Sequence, residues 1–384
     1  MSRVYSYILV WFVLCLTFTC FLATGGKASA EETSPVKHVF LISVGGLNSE
    51  GFADTATVNM NYLAGEGVLD RHTMAVRADT LESAETSLLT GAEPTDHKHY
   101  TVNDSVEVES IFDVLNKNKR SILVVDGSGG KLQSFAYSNQ GYRKIKLTAS
   151  SKVILEEAYN SFQKSKPFFN YIYVDDCSDV LLRQDQKSYY AAIRKFDIEL
   201  GEFLKKLQAS GVYKESLIIV TSARSSSPSH QVPLIMSGPG VKVNTIISGS
   251  MIIDVASTVC QLADLKVPAN SRGIPAYTVF NVPTDQKEKM YEDWIKDLKK
   301  DRLANWDMNY KLNDELGRTI RQMTDIKEEK QSIFDFAGER EQLIASLKKK
   351  LSLERGLWGG VVILMLLGYG AEYIWLRRKF LLFK

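Results

Sequence analysis

Histidine and cysteine, the side chains that most often assemble metal centres and nucleophiles, are scarce here, with five and four in 384 residues. His38, His72, His97, His99 and His230 fall at no ligand-like spacing. Cys15 and Cys20 lie in an N-terminal apolar leader, which leaves Cys177 and Cys260. Cys260 sits in the apolar stretch "DVASTVCQLADL", so buried free thiols are expected rather than a disulfide. An excess of one charge is also missing. The formal net charge is +2 and no basic stripe marks the soluble part, which excludes a nucleic-acid footprint. Gly129 and Gly130 in "VVDGSGGK" have the spacing of neither the P-loop nor the dinucleotide fingerprint. That stretch reads as an ordinary turn.

What is present is most distinctive at the two ends. Arg3 precedes the apolar "SYILVWFVLCLTFTCFLATGGKASA", which finishes in Ala28-Ser29-Ala30. A basic start, an apolar middle and an A-x-A end predict a secretory signal peptide over 1–30, cut before Glu31. Near the other end, "GLWGGVVILMLLGYGAEYIWL" (356–376) is long enough to cross a hydrocarbon core of about 30 Å. Trp358, Tyr373 and Trp375 stand near its ends, as interfacial aromatics do. Arg377, Arg378 and Lys379 follow, so the positive-inside rule puts the tail, 377–384, in the cytoplasm. The expectation is a single-pass membrane protein with a large extracytoplasmic domain, at a cell surface, on a periplasmic side or in a secretory lumen.

Between the ends, residues 37–282 alternate strand-like runs with amphipathic helical stretches. The strands are "HVFLISV", "SILVVDG", "FFNYIYVDD", "SLIIVTSA" and "VPLIMSG"; the helices include "NMNYLAGEG", "SAETSLLTG" and "SYYAAIRKFDIELGEFLKKLQASG". Such alternation predicts an α/β fold, a largely parallel sheet sandwiched by helices. After Pro283 the composition turns to charge and strong helix formers, predicting a helical stalk over 283–355, a candidate coiled coil. Leu312, Leu316, Ile320 and Met323 recur at spacings of three and four, as do Leu343, Leu347 and Leu351, with a break expected at Gly338. Those rows need a partner surface: the stalk's second half folded back at Gly338, another copy, or another protein.

Several stretches in order resemble the alkaline phosphatase superfamily, in particular its phosphodiesterase/nucleotide pyrophosphatase and sulfatase-like branches. "VFLISVGGL" is similar to the family's first strand and turn, "NMNYLAGEGV" to T-P-N-x-x-x-L-A-x-E-G-V, and "TSLLTGAEPTDH" to S-L-x-T-G-x-x-P-x-x-H. "YVDDCSDV", "IRKFDIELGEFLKKLQASGVYKESLIIVTSA", "VPLIMSGPG" and "DVASTVCQLADLKVPANSRGIP" follow in family order. The resemblance spans about 37–277 and implies an alkaline phosphatase-like fold without large cap insertions. Active members bind two divalent metals, usually zinc, with aspartates and histidines at strand ends, and a threonine, serine or modified cysteine attacks phosphorus or sulfur.

Carried over one position at a time, that machinery is mostly missing. The metal-binding Asp of the first turn corresponds to Gly45. The nucleophile lies nine residues before the Thr of the T-G pair, which from Thr90 gives Leu81. The D-x-x-x-H pair, placed 21 residues before Asp197, gives Asp176, but its histidine position is Val180. The later Asp-His-Gly turn is Ala223-Arg224-Ser225, and only His230 stands near the last histidine position, at too short a spacing. Thr80, beside the nucleophile position, would point about 100° away from the metals. Asp79 with Glu82 fits a helix capping box, and Asp175, Asp176 and Asp179 read as a solvated loop. His97 matches a family position that is not a ligand; His38, His72 and His99 have structural explanations.

The expectation is therefore a membrane-anchored alkaline phosphatase-like domain without catalytic residues and without a cofactor, acting as a binding or scaffold module. Its candidate binding residues are Asp176 and Arg224, the arginine suited to an anionic ligand in the vacated site. The alternative is a divergent metal-dependent phosphodiesterase, phosphatase or sulfatase-type hydrolase using Asp176, Thr80 and zinc or another divalent metal. A third reading makes the stalk and span the working part, driving assembly with the head as passenger.

Overall fold

The computed structural model describes residues 36–135, 141–178, 185–225 and 229–380. The expected signal peptide, with Cys15 and Cys20, lies outside these residues, as do Asp179, Val180 and the end of the tail.

Runs rich in Val, Ile and Phe suit strands buried on both faces of a sheet. β1 (His38–Val44), β2 (Val68–Met74), β3 (Ile122–Asp126), β4 (Gly141–Lys144), β5 (Phe169–Val174), β6 (Ser216–Thr221), β7 (Gln231–Ser237) and β8 (Thr245–Ile247) form one sheet. Its order is β4-β3-β5-β1-β6-β7-β2-β8. Every pairing is parallel except those that β7 makes with β6 and β2. All the strands expected from the sequence are present; β2, β4 and β8 are additions. β2 hides in the sequence because Arg71 and His72 are exposed beside a register shift between Asp70 and Thr73.

Alternation along β1 divides the core in two. Val39 and Leu41 join Tyr171 and Tyr173 of β5 under the helices Leu81–Thr90, Ile111–Lys117 and Asp254–Leu262. Phe40, Ile42 and Val44 join Ile172 and Val174 under the helices Val58–Gly65, Ser151–Ser165 and Gln186–Ala209. A buried polar clamp fixes one of these helices: the Asp197 carboxylate accepts the backbone N–H of Asn59 at 3.1 Å and of Met60 at 2.8 Å. With β1 between β5 and β6, the carboxyl ends of β3, β5, β1 and β6 converge on one rim, where open α/β sheets place their sites.

The helix Lys287–Phe380 runs for 94 residues. It passes through Gly338 without the predicted break. Glycine inside a helix costs about 1 kcal/mol, which the strong helix formers around it offset. Its first turns pack on the head: Trp294 stacks on Tyr277 at 6.2 Å between centroids, and Tyr277 Oη donates to Asp297 at 2.9 Å. The compact unit of the head extends to Asp301, and the described residues from Arg302 onward form a second unit. This helix is long and apolar enough to cross a membrane.

Candidate functional site

β1 ends at Val44, and the chain turns through Gly45 and Gly46, the latter at φ +83°. Tyr189 Oη pins the turn by donating to Gly46 O at 2.8 Å. Gly45 N donates to Val174 O at 2.7 Å, which lays the turn against the end of β5. A Cβ at position 45 would overlap Tyr173 Oη and lie 2.5 Å from Asp175 Oδ1 and 2.7 Å from Ser178 Oγ. Tyr173 Oη donates to Asp175 Oδ1 at 2.7 Å. The place where a side chain would grow is thus filled by a tyrosine–aspartate pair. At Gly45 itself the turn is packed by neighbouring side chains.

Beneath it lies a residue the sequence reading missed. The helix Leu81–Thr90 starts at the rim with Thr80 as N-cap, whose Oγ1 accepts from Ser83 N at 3.2 Å and donates to Tyr100 O at 2.7 Å. The cap therefore falls one residue later than the Asp79–Glu82 box expected. Leu81, which the resemblance puts at the nucleophile position, is buried. One turn on, Glu85 is buried as well, accepting from Ser43 Oγ at 2.8 Å and Tyr171 Oη at 2.6 Å. Burial pushes its carboxyl up to about 7, against the pull of those hydrogen bonds and of the Arg224 charge, while Asp175 pushes it further up. Burial also holds the phenols of Tyr171 and Tyr173 well above their ordinary value. Such a set can hold a proton near neutral pH and balance one cation. The sequence did contain a signal, since Leu81, Ala84, Glu85 and Leu88 share one helical face.

Arg224 belongs to this cluster and Asp176 does not. Ser222 Oγ donates to Arg224 O at 2.9 Å, and Arg224 Nη1 donates to Asp79 O at 3.2 Å, tying the end of β6 to the loop before the helix Leu81–Thr90. Ala223 is fully buried. Asp176 turns to the start of the helix Ser151–Ser165, where its two oxygens accept from Ser151 N at 3.0 and 3.2 Å. A carboxylate is favoured there by the unpaired N–H groups and the helix dipole.

The histidines are dispersed onto other partners. His38 Nδ1 lies 2.8 Å from Pro167 O, His72 Nδ1 2.9 Å from Gln231 Oε1, and His97 Nε2 3.0 Å from Ser87 Oγ. His99 sits between Thr86 and Ser134, and His230 O accepts from Ala75 N at 2.9 Å. Among the described residues no group of three or more His, Cys, Asp or Glu side chains is arranged to hold a metal. The "VVDGSGGK" turn is structural, because the buried Asp126 carboxylate accepts from Ser128 N within it (2.8 Å) and from Leu132 N just past it (3.3 Å). Cys177 and Cys260 are buried free thiols, as expected, with burial raising each to about 12.

The fold is similar to those of solved phosphodiesterases and sulfatases of the alkaline phosphatase superfamily. Human ectonucleotide pyrophosphatase/phosphodiesterase 5 superimposes with a TM-score of 0.56 at 11% identity, over 64% of this chain and 100% of that one. An inactive form of the murine enzyme in complex with AMP gives 0.52 at 11% identity, over 60% and 96%. A 2-O GAG sulfatase gives 0.53 at 12% identity, over 62% and 73%. No protein-family model and no curated protein matches the sequence.

Proposed function

We propose that this chain is a membrane-anchored, extracytoplasmic alkaline phosphatase-like module that binds an anionic ligand and does not hydrolyse it. One observation carries the reading: the turn after β1, where the family's first metal-binding aspartate would stand, is packed by Tyr173 and Asp175 against a glycine. A dinuclear site needs its full ligand set before it can lower the pKa of a bound water or stabilise a displaced oxygen. Leu81, Ala223 and Arg224 stand at further ligand or nucleophile positions, and the surviving Asp176 is engaged by a helix start. Arg224 brings a guanidinium to the rim, the group best suited to a phosphate or sulfate. The AMP held by the murine neighbour, made inactive by a substitution, supports this fold's capacity to hold a nucleotide when turnover is blocked.

Purified full chain in detergent should contain no zinc pair by elemental analysis. It should turn over neither a p-nitrophenyl phosphodiester nor a p-nitrophenyl sulfate above the background rate. AMP or sulfate binding by calorimetry should weaken roughly tenfold or more in Arg224→Ala. Two zinc ions per chain, with esterase activity abolished by Asp176→Ala, would overturn the reading. For the topology, external protease on intact cells or sealed vesicles should remove the head and spare a C-terminal tag.

A further inference from the structure

The helix Lys287–Phe380 buries none of its residues, although its middle is rich in large apolar side chains. Its passage through Gly338 removes one way of covering them, a hairpin of the stalk on itself. Between Leu312 and Leu351 a single heptad register sorts the sequence. At a stand Leu316, Met323, Lys330, Ala337, Ile344 and Leu351. At d stand Leu312, Thr319, Ile326, Ile333, Arg340 and Leu347. The remaining large apolar residues of this stretch, Ile320, Phe334, Phe336 and Leu343, all flank the seam at e or g. No b, c or f position carries one. Gly317 and Gly338 both fall at b, on the outer face, where a missing side chain costs no packing. A helix that met only water would have no reason to segregate its residues in this way.

The charges choose the occupant. Lys330 and Arg340 are the cations in the seam, and each has a glutamate beside it on the flank, Glu329 at g and Glu341 at e. When two copies run parallel and in register, an a side chain packs beside the g residue of the other copy and a d side chain beside its e residue. Lys330 then meets Glu329 of the second copy, and Arg340 meets Glu341 of the second copy. Two chains anchored in one membrane by the same C-terminal span are held parallel, so this step rests on the membrane-anchored reading above. The ordered seam is about 60 Å long at 1.5 Å per residue.

We propose that residues 312–351 pair with the same segment of a second copy as a parallel, in-register coiled coil. The bound unit would then present two heads on one paired stalk.

Disulfide formation in native membranes tests this with the full chain, whose Cys177 and Cys260 are buried. Ile333→Cys and Leu347→Cys, at d, should give a dimer band under mild oxidation at least several-fold stronger than Asp335→Cys and Gln342→Cys, at f. Co-expression of two differently tagged copies should place both tags in that band. Lys330→Glu in the Leu347→Cys background should lower the yield, and adding Glu329→Lys should restore it. Equal yields at d and f, a cross-link to a protein of another mass, or no cross-link in membranes would overturn the pairing. Alkaline carbonate extraction keeps the two readings apart. A chain released by carbonate counts against anchoring, and a retained chain without position-specific cross-links counts against the coiled coil alone.

Discussion

The rim of the head and the floor beneath it have gone different ways. At the rim stand Gly45, Leu81 and Ala223, where the sequence resemblance predicts an aspartate, a nucleophile and another aspartate. The floor, by contrast, keeps a dense set of buried polar groups in Ser43, Glu85, Tyr171 and Tyr173. Small and apolar residues at the rim have therefore not made the region beneath it greasy. Neutral and small residues on the rim avoid unpaired charge, while the floor satisfies its own charge with hydroxyl donors and a nearby arginine. The space beside Gly45 is filled from the end of β5 rather than from β1.

The comparison breaks most decisively if the rim accepts its family residue. Gly45→Asp should instead cost roughly 3–5 kcal/mol, from overpacking against Tyr173 and a second carboxylate beside Asp175, and should recruit no zinc. Denaturant melts with elemental analysis read both. A stable, zinc-loaded variant would show that the rim is only dormant.

The floor is best probed with pH. Glu85 titrates near 7 in the folded chain against an ordinary 4.5, so between those values the folded state binds more protons than the unfolded one. Its contribution is greatest below that window and falls as pH climbs through it, by roughly 3 kcal/mol in all. His97 runs the other way: burial pushes its imidazole down to about 4 from 6.5, so its contribution is lost as pH falls through that range. The two slopes oppose each other. Glu85→Gln should unmask the histidine, giving a head that loses stability on acidification from pH 6.5 to 4 more steeply than the parent. Identical pH profiles would mean that Glu85 is not buried in solution.

Smaller effects sharpen the contrast. Tyr171→Phe leaves the Glu85 carboxylate with one donor fewer and should cost about 1–3 kcal/mol at pH 8, less at pH 5 where the carboxyl is protonated. Thr80→Ala removes only a helix cap and should cost about 1 kcal/mol. If ester hydrolysis existed and vanished in that variant, Thr80 would be a nucleophile and the rim a working one.

Much of the fold was legible because β1, β3, β5, β6 and β7 are unbroken apolar runs, which a sheet covered on both faces requires. β2 was not, since its exposed Arg71 and His72 interrupt the pattern. At the site, the residues that pack the turn and the floor were not legible, because Tyr173 reaches the Gly45 turn, and Tyr171 reaches Glu85, through pairings more than a hundred and some 86 residues apart in sequence. Helical period placed Glu85 on the apolar face but could not say what it met there. The stalk's period was visible in the sequence, and its continuity through Gly338 was not.

The position of β1 also sets a timetable. It is the first of the described strands to be made, yet its sheet neighbours are β5 and β6, with Val39 joined to Asn170 across 131 residues. At ribosomal speeds of 5–20 residues per second, the first of those neighbours emerges roughly 7–26 s later. Throughout that interval an apolar strand has neither edge satisfied, which is the state most prone to mispairing. Maturation of this head is thus tied to whatever shields "HVFLISV" during synthesis, and slowing elongation between the strands should cost yield even though no residue of the native structure changes.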